Sequence, residues 1–176
     1  MKSLSKRVLA PLFAVVMVAS VKSSNGQGLA DETQTRGYWL DPSTGLMWAG
    51  KDNGQDVDWR KATKYCRDLR LGGYSDWRLA TIDELEGIYD STANAPGRGA
   101  GKRGDEASNW HVKGNLFLTG NQWSSTQRMD DRGRPSGLVW YFDFWNRRKG
   151  SDDGGRFSGR FANYGRRALC VRRSGR

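Results

Sequence analysis

The chain has 176 residues, two cysteines, one histidine and a net charge of +10. This length fits one domain with short tails, and no segment of roughly 20–50 residues repeats, which excludes a solenoid. Two cysteines and one histidine are a poor set of ligands for a structural zinc site.

Residues 1–26 have the organisation of a secretory signal peptide. A basic start with Lys2, Lys6 and Arg7 precedes a mainly apolar run over Val8–Val21, and small and polar residues follow. The run is short for a membrane span, which needs roughly 20 apolar residues. We therefore expect a secreted or periplasmic protein with no membrane span after signal removal, the cleavage site being uncertain. The alternative is an uncleaved N-terminal anchor.

The domain is predicted to begin with a β-hairpin. Residues 27–35 are polar and indicate a flexible lead-in to a domain over residues 36–173. Two short aromatic runs, Tyr38–Leu40 and Leu46–Trp48, flank a turn rich in Pro and Gly, which is typical of a hairpin.

Two helices are predicted next. The first covers Trp59–Leu71, is capped by Asp58, and has one apolar face made of Trp59, Ala62, Cys66 and Leu69. The second covers Ile82–Tyr89, because Thr81 and Glu84 have the spacing of a capping box. Glu84 is therefore interpreted as a capping residue and not as an acid catalyst.

The second half of the chain is predicted to be rich in strands. Ser91–Asn109 contains many Gly and Ala residues and indicates a long surface loop. Three strands follow, at Asn121–Thr126, Gly137–Trp145 and Ala168–Arg172, with Gly-rich loops between the last two. The fold class is therefore α+β, with two helices from the first half packed on antiparallel strands mostly from the second half.

Cys66 and Cys170 are expected to form one disulfide, since an exported chain matures where disulfides persist. Their separation of 104 residues would make such a bond worth roughly 4–5 kcal/mol in the chain-entropy model. The alternative is two separate buried thiols.

The positive charge is concentrated in the second half of the chain, where arginine dominates. The planar guanidinium fork suits sulfate, phosphate and carboxylate groups. An exported protein rarely meets nucleic acid, so we expect an anionic polysaccharide or envelope polymer as the partner. The alternative is a general solubilising charge without a dedicated ligand.

The order of several motifs resembles a known bacterial family. The block Leu71-Gly72-Gly73-Tyr74-Ser75-Asp76-Trp77-Arg78-Leu79 is the most specific, and it is followed by Trp123-Ser124-Ser125-Thr126 and Arg167-Ala168-Leu169-Cys170-Val171-Arg172. This series resembles the Lcl C-terminal domain family, which takes its name from a collagen-like adhesin. The resemblance implies a C-type-lectin-like fold, related to that of sulfatase-modifying factors, and supports pairing of the two cysteines. Ala80 departs from the family, which usually has proline there, and this sequence has no collagen-like Gly-X-Y repeat.

Catalysis and calcium binding are both disfavoured by the motifs. His111 is the one histidine, and no Gly-x-Ser-x-Gly elbow surrounds Ser124 or Ser125. A pair of carboxylates brought together in space would be invisible in the sequence. Asp152 and Asp153 could supply calcium ligands, although adjacent acids in a Gly loop more often form a solvated turn. We expect no enzyme activity, no cofactor and no metal site.

The eight tryptophans divide into two groups. Six are expected in the core, namely Trp39, Trp48, Trp59, Trp77, Trp123 and Trp140, whereas Trp110 and Trp145 are expected near loops. An indole beside arginines can stack on a sugar ring while the arginines hold its anionic groups. The predicted ligand contacts are Trp145, Arg147, Arg148, Lys149, Arg156 and Arg160. The sequence thus predicts a noncatalytic module that binds anionic glycans, with a protein-contact or assembly module of the cell envelope as the alternative.

Overall fold

The computed structural model describes Thr33 and residues 35–99, 107–154 and 165–175. Within these ranges the chain is α+β, as predicted, with helices α1 (Trp59–Asp68) and α2 (Ile82–Gly87). The strands are β1 (Tyr38–Leu40), β2 (Leu46–Ala49), β3 (Arg78–Leu79), β4 (Ala95–Arg98), β5 (Ala107–Trp110), β6 (Asn121–Met129), β7 (Pro135–Asp143), β8 (Arg148–Asp152), β9 (Arg166–Arg167) and β10 (Cys170–Arg173). The predicted signal peptide lies outside the described residues, as do Arg156 and Arg160.

The first sheet joins the two ends of the domain. Its strand order is β1-β2-β10-β3, and all of its pairs are antiparallel. The predicted hairpin is confirmed, since Trp39 of β1 lies opposite Trp48 of β2. Thr33, in the segment predicted to be flexible, is buried, and its hydroxyl donates to the carbonyl of Gly114 at 3.0 Å.

Both helices are confirmed together with their caps. The Asp58 carboxylate accepts the Lys61 N–H, and α1 ends at Asp68 because Leu69 adopts an extended conformation. The capping box of Thr81 and Glu84 is complete. Burial alone would raise the pKa of Glu84, but hydrogen bonds from Arg78 and Thr81 outweigh it and lower that pKa.

The predicted disulfide is also confirmed. It links Cys66 on the buried face of α1 to Cys170 on β10, with 5.3 Å between their Cα atoms.

The second half departs from the prediction in three places. The segment Ser91–Asn109 is not simply a loop, since β4 and β5 pair as an antiparallel ribbon. The predicted loop after β7 contains β8, which is the outer strand of the sheet β8-β7-β6-β9. Trp110 is 2% exposed and lies in the core, so its expected place near a loop is wrong.

The core consists of two clusters on opposite faces of the first sheet. Met47 and Cys170 belong to one cluster, whereas their neighbours Trp48 and Val171 belong to the other. This is the period-two alternation of strands. Four of the six tryptophans predicted for the core are buried, namely Trp39, Trp48, Trp77 and Trp123, and the half-buried Trp59 and Trp140 pack against its clusters.

Candidate functional site

Four of the predicted contact residues lie in or directly after a tight turn between β7 and β8. Trp145 and Arg147 are in the turn, and Arg148 and Lys149 begin β8. One oxygen of the Asp143 carboxylate accepts the N–H groups of Trp145 at 2.8 Å and Asn146 at 3.3 Å. Its other oxygen accepts the side-chain amide of Asn146 at 3.1 Å. Arg147 has a φ of 53°, in the left-handed region. These three hydrogen bonds to Asp143 stabilise the turn that connects β7 to β8.

Two cations lie over one indole on the face of the sheet next to α2. The guanidinium carbon of Arg128 is 5.8 Å from the centre of the Trp140 ring, and the Lys149 ammonium is 5.9 Å from it. Strand pairing explains this, since Trp140 lies opposite Ser151 and side chains two residues apart share a face. Arg128 also donates to the Ser151 hydroxyl at 3.2 Å.

A third cation lies farther along the same face. The Arg147 guanidinium is 5.3 Å from the centre of the Tyr89 ring, which meets Phe142 edge-on. Arg147, Lys149 and Phe142 line a shallow groove of about 370 Å³ together with Glu86 and Gly87 from α2. We term Arg128, Trp140, Lys149, Arg147 and Tyr89 the basic face.

Carboxylates of α2 moderate the charge of the basic face. Glu86 lies 2.7 Å from the Lys149 ammonium, and this contact raises the pKa of Lys149. Because Glu86 itself is partly exposed, it can compete with an incoming anion for Lys149. Asp83 also acts on Lys149 through its charge, so three cations face two carboxylates and the face remains positively charged.

The structure brings only part of the predicted set together. Arg147 and Lys149 share a groove, whereas strand alternation places Arg148 on the opposite face of β8. Trp145 lines a separate groove, where its ring meets Trp110 edge-on with the centroids 6.2 Å apart. The two remaining predicted residues, Arg156 and Arg160, lie outside the described residues.

Three members of the basic face were missed by the sequence analysis. The sequence pattern predicts Trp140 in the core and does not include Arg128 or Tyr89 among the ligand contacts. Recognition of β8 as the partner of β7 would have placed Lys149 beside Trp140, because both alternate to one face. No sequence signal places Tyr89 under Arg147, since that contact joins the segment after α2 to the turn after β7.

One of the two acids considered for calcium, Asp152, lies beside an arginine. The pKa of Asp152 is raised, chiefly because the carboxyl is partly buried. An Arg166 guanidinium nitrogen lies 4.0 Å from Asp152, and the same guanidinium stacks on Tyr141 at 3.6 Å. Among the described residues, no group of three or more His, Cys, Asp or Glu side chains is placed to hold a metal ion.

No helix within the described ranges has both the length and the apolar character needed to cross a membrane.

Comparison with known proteins places the chain by its family. Neither a curated protein nor a solved structure gives a significant match. Residues 37–172 match a family model described as the Lcl C-terminal domain, and this match covers well over half of the chain. The chain therefore belongs to the Lcl C-terminal domain family.

Proposed function

We propose that this protein is an exported, noncatalytic, adhesin-like module that binds anionic glycans or anionic envelope polymers through the basic face. The observation that carries the proposal is the arrangement of Arg128, Lys149 and Arg147 over the rings of Trp140 and Tyr89. Sulfated or acidic sugars present both an anionic group and a ring with an apolar surface. A cation held over an aromatic ring can meet both features.

The basic face differs physically from dispersed surface charge. Trp140 and Tyr89 pack against the core, so their rings are fixed from below. Each cation then lies over a fixed ring, which restricts its side chain before any ligand arrives. A side chain that is already restricted in the free protein loses less conformational entropy when the ligand binds. The arginine forks can also grip a sulfate or carboxylate through two parallel hydrogen bonds.

Other features support the rest of the proposal. The Cys66–Cys170 bond is suited to an oxidising compartment outside the cytoplasm. The same bond ties α1 to the last strand, and β2 pairs with β10, which supports the C-type-lectin-like fold that the family implies. The His111 ring nitrogen Nδ1 lies 2.9 Å from the Ala93 carbonyl oxygen, and the Ser124 hydroxyl accepts the Thr126 N–H at 2.9 Å. Both side chains thus have structural backbone contacts, which supports a noncatalytic role.

The experiment compares retention on heparin resin with retention on a sulfonate cation exchanger of matched charge density, over a salt gradient. The site variant combines Arg128→Gln, Arg147→Gln and Lys149→Gln. The control variant removes the same charge from exposed positions on other parts of the domain, with the changes Lys51→Gln, Arg60→Gln and Arg173→Gln.

The parent and the control variant should elute from heparin at clearly higher salt than from the exchanger. The site variant should elute from both resins at similar salt, because general attraction remains while the shaped site is lost. The proposal fails if the parent shows no preference for heparin, or if both variants lose that preference equally. A stable complex with an envelope protein, indifferent to polysaccharide, would instead favour the assembly role.

A further inference from the structure

A second groove lies beside Trp145 and is distinct from the basic face. It has a volume of about 330 Å³, at the small end of the roughly 300–1,000 Å³ typical of ligand pockets. Its lining includes Trp145, Trp110, Ser108, Asn121, Asn146 and Asp143. No lysine or arginine lines it among the described residues, so its chemistry differs from that of the basic face.

Trp145 is an unusual tryptophan in this domain. It is 52% exposed, whereas Trp48 and Trp123 are fully buried. Its ring is nonetheless held, because the buried Trp110 meets it edge-on at an interplanar angle of 82°. Its backbone N–H is bound by Asp143. The fold thus presents an apolar surface to solvent that Trp110 supports on one side, and this support reduces the side-chain entropy lost when a ligand stacks on it.

The polar groups around this surface have unused hydrogen-bonding capacity. The Asn146 amide group donates to Asp143, which leaves its carbonyl oxygen as an acceptor. The side chains of Asn121 and Ser108 have no hydrogen-bond partner among the described residues. Together they provide donors and acceptors without a positive charge. This combination suits hydroxyl groups better than sulfates.

We propose that the groove binds an uncharged pyranose ring, with one apolar face of the sugar on Trp145 and its hydroxyl groups at Asn121, Asn146 and Ser108. The ligand class is a neutral hexose or N-acetylhexosamine unit. This site is separate from the basic face, so it can exist whether or not that face binds polyanions.

The test follows the tryptophan indole N–H signals of the mature protein by two-dimensional NMR. The signal of Trp145 is identified with Trp145→Phe. The probes are the methyl glycosides of glucose, galactose, mannose and N-acetylglucosamine, added at millimolar concentration in high salt. At least one probe should shift the Trp145 signal saturably, and high salt should not weaken it, because no charge on the ligand is screened.

The variants separate stacking from general effects. Trp145→Ala should weaken binding about tenfold or more, while Trp145→Phe should retain part of it. Leu40→Ala, at another exposed apolar residue, should leave the binding unchanged. If no probe gives a saturable shift at Trp145, or if a probe binds Trp145→Ala as tightly as the parent, the inference is overturned. Heparin retention reports on the basic face alone, so the two proposals can fail independently.

Discussion

Reduction of the Cys66–Cys170 bond is expected to cost about 4.7 kcal/mol of unfolding free energy at 25 °C. The bond closes a loop of 104 residues, and the chain-entropy model assigns about this value to a loop of roughly 100 residues. Small domains have a total stability of only about 5–15 kcal/mol. The loss is therefore a third or more of the total.

Urea unfolding of the oxidised and the reduced protein measures this loss directly. With a slope of about 1.5–2 kcal/mol per molar urea, the midpoint should fall by about 2–3 M on reduction. The slope should also rise, because an unfolded chain without the cross-link exposes more surface. Reduced protein keeps both sulfur atoms, so this comparison isolates the cross-link.

A double variant separates the cross-link from the packing. Cys66→Ala with Cys170→Ala removes two fully buried sulfur atoms in addition to the bond. It should therefore be less stable than reduced protein, by about 0.5–1.5 kcal/mol per site, the cost of deleting a small buried group. A loss on reduction below about 1.5 kcal/mol would refute the reasoning, because the unfolded chain would then already be compact without the bond.

Three further predictions concern single residues. Glu86→Gln removes the carboxylate that competes for Lys149, so the variant should elute from heparin at higher salt than the parent; unchanged elution would show that Lys149 takes no part. Gly114→Ala should lower the free energy of unfolding in urea by about 2–5 kcal/mol, because φ is 73° and the added Cβ would lie 2.1 Å from the Trp39 ring. Gly133→Ala, which has a similar φ but open space around it, should lower that free energy by about 1–2 kcal/mol. The pKa of Glu84 is lowered from 4.5 in the folded state, so its ionised form stabilises the fold above that pH and the contribution is lost as the pH falls through the folded pKa. Glu84→Gln should therefore flatten the acid limb of the stability curve, and parallel curves for parent and variant would contradict this.

The elements predicted well are those with local signals. Asp58, Thr81 and Glu84 mark helix starts through hydrogen bonds within three residues, so the sequence window contains both partners. The apolar face of α1 likewise identified Cys66 as buried. These features depend on neighbours in the chain, and they do not require the tertiary structure.

The elements that the sequence does not predict form through contacts with residues far along the chain or through hydrogen bonding to a neighbouring strand. β8 has the sequence Arg-Lys-Gly-Ser-Asp, which lacks the apolar alternation of a strand and forms because β7 lies beside it. β4 contains Pro96 and Gly97, which indicate a loop, yet a strand with one outer edge tolerates proline. Trp110 was misplaced because its neighbours in sequence are polar, while its neighbours in space are core residues.

The same distinction explains why the candidate site was only half predicted. Two of its three cations, Arg147 and Lys149, lie in a short basic stretch that is conspicuous in the sequence. Their positions over Tyr89 and Trp140 depend on β7 and on the segment after α2. Those rings face the core on one side and the cations on the other. The spacing between the charges on the basic face is therefore fixed by core packing, and a change in the core beneath Trp140 should alter ligand binding without changing any charge. A charge that only keeps a protein soluble does not require a fixed position over an aromatic ring.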